Sequence, residues 1–483
     1  MDFIDRTLLK TGSYINGEWH SSQLGFDVDN PGNGSLVSTV SEVTSTQLEY
    51  AVTSAQIAQR SWAHFPAKHR SVILIKWFQL IIDNIQDLAL IMTLEQGKAL
   101  RESIGEITNA ASYIEWFAEQ AKRAYGDVIP AQSNERRQVT FRQPLGVVSA
   151  ITPWNYPTGM IARKAAPALA AGCSFIIKPS EYTPLSALAL AELSRRAGVP
   201  KGVFNVVVGT DSQGIGTVLT QHPAIRKFTF TGSTKVGKRL LAQCASTVKK
   251  TSLELGGNAP LIIFDDADID MAVEQTVASK FRNAGQTCVC ANRIIVQGTV
   301  YEQFIEKIAL KISELKLANG FDSHCDLGPL INKTAVKKVD YLVQDAIKQG
   351  AQLLIGGKTE QALGPLYYQP TLVINVTPKM NIAKQEIFGP VASILRFETE
   401  DEAIQMANDT KYGLAAYFFT KDPSRVWRLS EGLEYGMVGV NVGILTAVQA
   451  PFGGIKESGL GREGSKNGLD DFLEIKYVCM GNL

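Results

Sequence analysis

No sign of charge dominates this sequence: 48 Lys and Arg stand against 47 Asp and Glu, a formal net charge of +1. Without a basic surplus there is nothing to neutralise a phosphate backbone or an anionic bilayer, so neither nucleic acid nor a membrane surface is expected as a partner. Cysteine is scarce as well. Six in 483 residues, at 173, 244, 288, 290, 325 and 479, are too few for the disulfide framework of a secreted scaffold. Cys288 and Cys290 lie closer together than the C-x2-4-C spacing of a zinc half-site, and no second Cys/His pair follows, so no metal is expected. Long apolar runs are missing too: none approaches the roughly 20 residues of a membrane span. The first residues, "MDFIDRTLLK", lack a basic region followed by an apolar stretch of signal length. These absences together predict a soluble, cytoplasmic chain.

What remains is ordinary globular composition, 45% hydrophobic and 20% charged. At roughly 150 residues per domain the length suggests about three lobes. Short strand-like runs broken by Gly, Asn and Pro ("YINGEW", "DNPGNGS") predict an edge arm within residues 1 to 30, and "SVILIKWFQLIIDNIQDLALIMTLEQGKAL" carries helical periodicity within a helical region from about Thr46 to Ala124. The polar alternation of "VIPAQSNERRQVTFRQPLG" predicts an exposed hairpin-like excursion. Then "GVVSAITP", "SFIIKPS", "VFNVVVG", "KFTFTG" and "TSLELGG" alternate with amphipathic helical stretches, the pattern of parallel βαβ units in an open doubly wound α/β sheet. Such sheets bind ligands at the carboxyl ends of their strands. "APLIIFDD", "ANRIIVQG", "YEQFIEKIALKISEL" and "VASILRFET" begin a second α/β lobe.

Several motifs sit at strand ends. "FTFTGSTKVGKRL" has the Gly232, Gly237, Lys238 spacing of a P-loop, but Arg239 stands where Ser or Thr must hold Mg²⁺. That leaves a dinucleotide site, with Gly232 and Gly237 admitting a pyrophosphate to the helix N-terminus, or a plain glycine turn. "IIKPSEYTP" brings Lys178, Pro179, Ser180 and Glu181 to a strand end, where a carboxylate could receive ribose hydroxyls or merely close a turn. In "ITPWNYP", Asn155 is an amide fixed between Trp154 and Tyr156, either an oxyanion donor or a structural turn. "SLELGGNAP" sets Glu254 among apolar and glycine neighbours, which disfavours ionisation and suits a general base or a buried hydrogen-bonded carboxylate. Cys288 follows Gly285, Gln286 and Thr287, a tight turn that would present a thiol, the strongest natural nucleophile near neutral pH in its thiolate form.

The order of "TPWNYP", "KPSE", "FTGS", "LELGGNAP", "GQTC", "EIFGPV" and "PFGGIKESGLGREG" resembles the aldehyde dehydrogenase superfamily along essentially the whole chain. "SKFRNAGQTCVCANR" and the tail "GREGSKNGLDDFLEIKYVC" are most similar to its succinate-semialdehyde dehydrogenase branch, with glutarate-semialdehyde and aminoaldehyde enzymes close by. The resemblance implies a Rossmann-type cofactor domain over residues 1–121 and 142–253 and a catalytic domain over 254–448. It implies an oligomerisation element from 122–141 and 449–483, hence a homodimer or homotetramer. It makes Cys288 the nucleophile, Glu254 the base and Asn155 the oxyanion donor. Trp154, Lys178, Pro179, Ser180, Glu181, Gly232, Ser233, Thr234, Lys235, Val236, Gly237, Glu386 and Phe388 would hold NAD, or NADP. Arg163, Arg282 and Thr446 would bind a substrate carboxylate, with Thr446 departing from the Ser of close relatives. Cys288 and Cys290 would form a reversible disulfide that acts as an oxidative off-switch, or Cys290 is simply a small packed thiol. A non-catalytic binding role is the remaining reading, and intact Cys288, Glu254 and Asn155 speak against it.

Overall fold

The computed structural model describes residues 3–481. Five parallel strands form the heart of an eight-stranded sheet: Phe204–Val206, Ser174–Lys178, Val147–Ile151, Ile225–Thr231 and Lys250–Glu254, in that spatial order. The chain therefore runs outward from Val147–Ile151 in one direction, then crosses back to run outward in the other. The helices Pro157–Ala171 and Thr234–Cys244 leave the two central strands, Val147–Ile151 and Ile225–Thr231, for opposite sides of this switch. A crevice opens at such a point because adjacent connections diverge. The edge arm, strands Ser13–Ile15 and Glu18–His20, extends the sheet antiparallel at one side.

The second sheet has seven strands, with Ala259–Ile263 at its switch and Ala291–Gln297 and Ala415–Phe419 on either flank. Its strands Gln352–Ile355, Thr371–Ile374, Ala415–Phe419 and Met437–Val440 go beyond the runs that sequence periodicity picks out. The four residues between Glu254 and Ala259 carry the chain from the carboxyl edge of the first sheet to the amino edge of the second. The expectation of ligand sites at carboxyl ends thus describes only the first lobe; the second offers its amino ends to the same cleft.

Local chemistry explains the helices that matter to the cleft. Pro157 opens its helix where no N–H is needed, and Gly172, at φ 99°, ends it. The free N–H groups of Thr158 and Gly159 donate to Glu106 Oε1 at 2.9 and 3.1 Å, so a carboxylate from another helix acts as the cap. That other helix, Leu100–Gln120, buries Ile107, Ala110, Ile114 and Phe117 on one face. Apart from both lobes, Val128–Ile129, Arg136–Pro144 and the C-terminal strand Leu473–Gly481 form a three-stranded antiparallel sheet.

Candidate active site

Cys288 sits in the turn before strand Ala291–Gln297, reached through three successive left-handed residues, Asn283, Ala284 and Gly285, at φ 51°, 52° and 73°. Only glycine takes such a φ without strain, and a Cβ on Gly285 would also strike the Gly389 carbonyl. Gln286 fastens the turn from inside: its Nε2 donates to Asn283 O at 3.2 Å and its Oε1 accepts Ile331 N–H at 3.0 Å. The thiol thereby projects from a strained but tied-down loop.

Two cavities meet at Cys288. One, of about 330 Å³, is lined among others by Glu102, Tyr156, Arg163, Arg282, Thr446 and Phe452. The other, of about 250 Å³, is lined by Trp154, Asn155, Gly232, Ser233, Glu386 and Phe388. Trp154 and Phe388 pack edge to face there, ring centroids 5.7 Å apart. Arg163, Arg282 and Thr446, far apart in sequence, are thus gathered on one side of the thiol, and five of the residues expected at a cofactor, with Asn155, on the other.

Asn155 is buried, and its Nδ2 donates to Gln286 O at 3.0 Å, leaving one amide hydrogen uncommitted. Its backbone carbonyl accepts from Lys98 Nζ at 2.7 Å and from Asn283 Nδ2 at 3.0 Å. Glu254 ends its strand 3% exposed, with Oε2 lacking any partner among the described residues. Burial, and then the nearby Glu463, raise its pKa well above the usual carboxylate range, against the pull of Lys164, Arg163 and Arg462. Its carboxyl packs against Gly453 and does not line either cavity. The Cys288 thiol is pushed up to about 12, first by burial and then by the charge of Glu386. Such a set can supply a nucleophile, an amide donor and a proton acceptor.

The remaining expected residues lie elsewhere. Thr234 and Lys235 line a lysine-rich cavity of about 670 Å³ with Lys238, Lys338, Lys384 and Lys411. Its floor is the start of helix Thr234–Cys244, which has no acidic residue in its first turn and no side-chain cap, a fit for a pyrophosphate. Val236 and Gly237 face the sheet instead: a Cβ on Gly237 would collide with Leu255. Lys178 Nζ donates to Pro179 O at 3.1 Å and to Glu181 at 3.4 Å, and Ser180 accepts the Tyr182 N–H. Glu181 borders a separate cavity of about 520 Å³. Cys290 is buried behind the loop, its Sγ donating to Gly285 O at 3.4 Å and 3.8 Å from Lys280 Nζ; both it and Cys288 are free thiols. Sequence reasoning passed over Lys98, Glu102, Glu106 and Asn109. Glu102, Glu106 and Asn109 fall at i, i+4 and i+7 on helix Leu100–Gln120, a polar stripe on a helix that packs inward, and that was a legible signal.

Comparison with known proteins agrees with this geometry. The profile of the Aldehyde dehydrogenase family matches residues 19–478. The chain is 52% identical to an NADP(+) succinate-semialdehyde dehydrogenase of Escherichia coli K12 over the full length of both. It is 52% identical to a 3-sulfolactaldehyde dehydrogenase of Pseudomonas putida over 100% of this chain and 99% of that one. A Pseudomonas aeruginosa glutarate-semialdehyde dehydrogenase is 50% identical over the full length of both. Among solved structures, an E. coli NADP-dependent enzyme superposes with a TM-score of 0.98 at 52% identity, covering both chains fully. Betaine aldehyde dehydrogenase of Staphylococcus aureus, solved with NAD+, gives 0.95 at 36% identity over 98% of this chain and 95% of that one. Likeness of this extent, over a cysteine set between two cavities, leaves one conclusion: this chain belongs to the aldehyde dehydrogenase family, the NAD(P)-dependent oxidoreductases of aldehydes.

Proposed function

We propose that the enzyme oxidises succinate semialdehyde, or a close ω-oxo acid, to the dicarboxylate. The observation that carries this reading is the pair Arg163 and Arg282 in the cavity that ends at Cys288. Guanidinium forks suit a carboxylate, and two of them repel a cationic aldehyde. The three relatives named above support it, since each is named for an aldehyde whose other end is a carboxylate or a sulfonate. Thr446, on the lining of the same cavity, carries one methyl more than the expected Ser.

In this reading Cys288 passes its thiol proton to solvent and Sγ, as the thiolate, adds to the aldehyde carbon, giving a thiohemiacetal whose oxyanion is held by the free Asn155 amide hydrogen and the Cys288 N–H. NAD(P)+ bound in the Trp154–Phe388 cavity supplies the hydride acceptor. Glu254 then takes the proton of a water that cleaves the Cys288 thioester, and for this its carboxyl must turn from Gly453 toward the sulfur. Ser233, Thr234 and Lys235 at the helix start hold the pyrophosphate, Glu386 the nicotinamide ribose, and Lys178, Ser180 and Glu181 the adenine ribose. Because Glu181 is anionic and already engages Lys178, NAD+ is preferred over NADP+. Residues 1–121 with 142–253 form the cofactor domain, 254–448 the catalytic domain, and 122–141 with 449–483 an element joining a homodimer or homotetramer. Oxidation of Cys288 and Cys290 to a disulfide would switch the enzyme off.

NAD(P)+ reduction is the test, with succinate semialdehyde, glutarate semialdehyde, an aminoaldehyde and butanal, each with both cofactors. Cys288→Ala should abolish turnover. Arg282→Ala and Arg163→Ala should each raise KM for the acidic semialdehydes by about ten- to a hundredfold, one charge-assisted contact each, and far less for butanal. Equal losses on both substrate types would reject the carboxylate reading.

A further inference from the structure

The cavity leading to Cys288 contains more charge than two arginines. Lys98 and Glu106 satisfy each other at 2.6 Å. Arg163 donates to Tyr113 OH at 3.1 Å and lies 4.0 Å from Glu463. Arg163 Nε has no partner either, but Glu102 and Arg282 are the charged groups of this cavity that have no ion pair among the described residues. Glu102 Oε1 accepts the Asn283 N–H at 2.8 Å, which fixes the carboxyl against the turn that carries Arg282. Its Oε2 is buried and has no partner among the described residues, and neither does Arg282 Nε. One enclosed cavity is therefore bordered by an unmatched acceptor and an unmatched donor.

A ligand carboxylate satisfies Arg282 but brings its own negative charge up to Glu102. Two carboxylates enclosed beside one guanidinium share a proton more readily than they both ionise. We propose that Glu102 binds substrate as the neutral acid, donating Oε2–H to the far carboxylate of the ω-oxo acid while Arg282 donates to the same group, so that at a pH where free Glu102 is ionised binding draws one proton from solvent onto Oε2. This rests on the carboxylate reading of the cavity and adds to it a specificity residue and a proton count. The groups facing Glu102 are Lys98 and Arg101 near the start of its own helix, Arg282 from the cysteine turn, Tyr156 from the turn before helix Pro157–Ala171, and Cys325 from a loop. Burial favours its acid form, while the Asn283 N–H, Lys98, Arg282 and Arg101 oppose; the outcome is a pKa above the ordinary range.

Butanoate is a suitable probe, being an anion throughout pH 6–9.5 and lacking an aldehyde. Its inhibition constant is measured against butanal for the wild type and for Glu102→Gln, which keeps the acceptor for Asn283 and offers a permanent N–H donor. In the wild type the constant should climb by about tenfold per pH unit once Glu102 ionises, since each unit removes nine-tenths of the acid form. In Glu102→Gln the line should be flat. Mixing butanoate with wild-type enzyme in weak buffer at the alkaline end should consume up to one proton per site, read with an indicator dye, and none with the variant. Equal slopes for both proteins, or a flat wild-type line with no proton uptake, would overturn the proposal. Arg282→Ala separates the two ideas: an acid-specific loss there, with equal slopes here, removes Glu102 and leaves the carboxylate reading standing.

Discussion

At rest Cys288 is a thiol, not a thiolate. Burial comes first among the causes and the carboxylate of Glu386 second, with Arg163 pulling the other way. A nucleophile held neutral is protected from stray oxidation and alkylation and must be deprotonated when substrate arrives. The sign of the pH dependence follows: with the pKa pushed up to about 12, the thiolate fraction gains about tenfold for every pH unit through the accessible range. Labelling of Cys288 by iodoacetamide in the cofactor-free enzyme should still be accelerating at pH 10, where an ordinary thiol has levelled off. Glu386→Gln should shift the rate curve to lower pH. A plateau by pH 9 in the wild type would contradict this account of the site.

Among the elements, the junction of helix Leu100–Gln120, helix Pro157–Ala171 and the cysteine turn decides how well the site is held. Lys98 Nζ bridges Glu106 at 2.6 Å and the Asn155 carbonyl at 2.7 Å, and it lies over the Tyr156 ring at 4.2 Å. Glu106 in turn caps the second helix. Removing one partner of a buried pair strands the other charge at a cost of about 3–5 kcal/mol. Lys98→Met should therefore lower the melting temperature and also kcat, because Asn155 loses its tether beside the thiol. Adding Glu106→Gln should restore part of the melting temperature without restoring kcat, since the amide still accepts the helix N–H groups but nothing holds the Asn155 carbonyl. Recovery of both would mean that Lys98 serves stability alone.

For the whole molecule, the outlying three-stranded sheet is the exposed apolar feature with the most consequence. Val128 is 83% and Ile475 70% exposed, with Phe141 and Tyr477 about half exposed on the same sheet. Apolar groups on an exposed sheet mark an association surface, and a small outlying sheet gains stability from a partner that covers them. Light scattering should find the wild type as a dimer or tetramer, and Ile475→Glu should shift the mass toward the monomer. An unchanged mass would place the interface elsewhere. No helix among the described residues is long and apolar enough to cross a membrane.

The sequence by itself determined a good deal: which stretches alternate as strand and helix, which turns need glycine, and which strand ends carry Asn155, Glu181, Gly232 and Glu254. These are local matters, set by periodicity, turn chemistry and residue type within about ten positions. Strand Ala415–Phe419 escaped because a fully buried apolar run looks the same in helix and strand, and Met437–Val440 because four residues are too few to show a period. Tertiary structure alone decided that the two sheets meet carboxyl edge to amino edge, which brings Arg163, Arg282 and Thr446 around one thiol across 283 residues of chain. It decided too that Glu102 and Lys98, ordinary charged positions near a helix start, are shut inside that cavity. Burial and pairing depend on what packs opposite, and no neighbour in sequence supplies that.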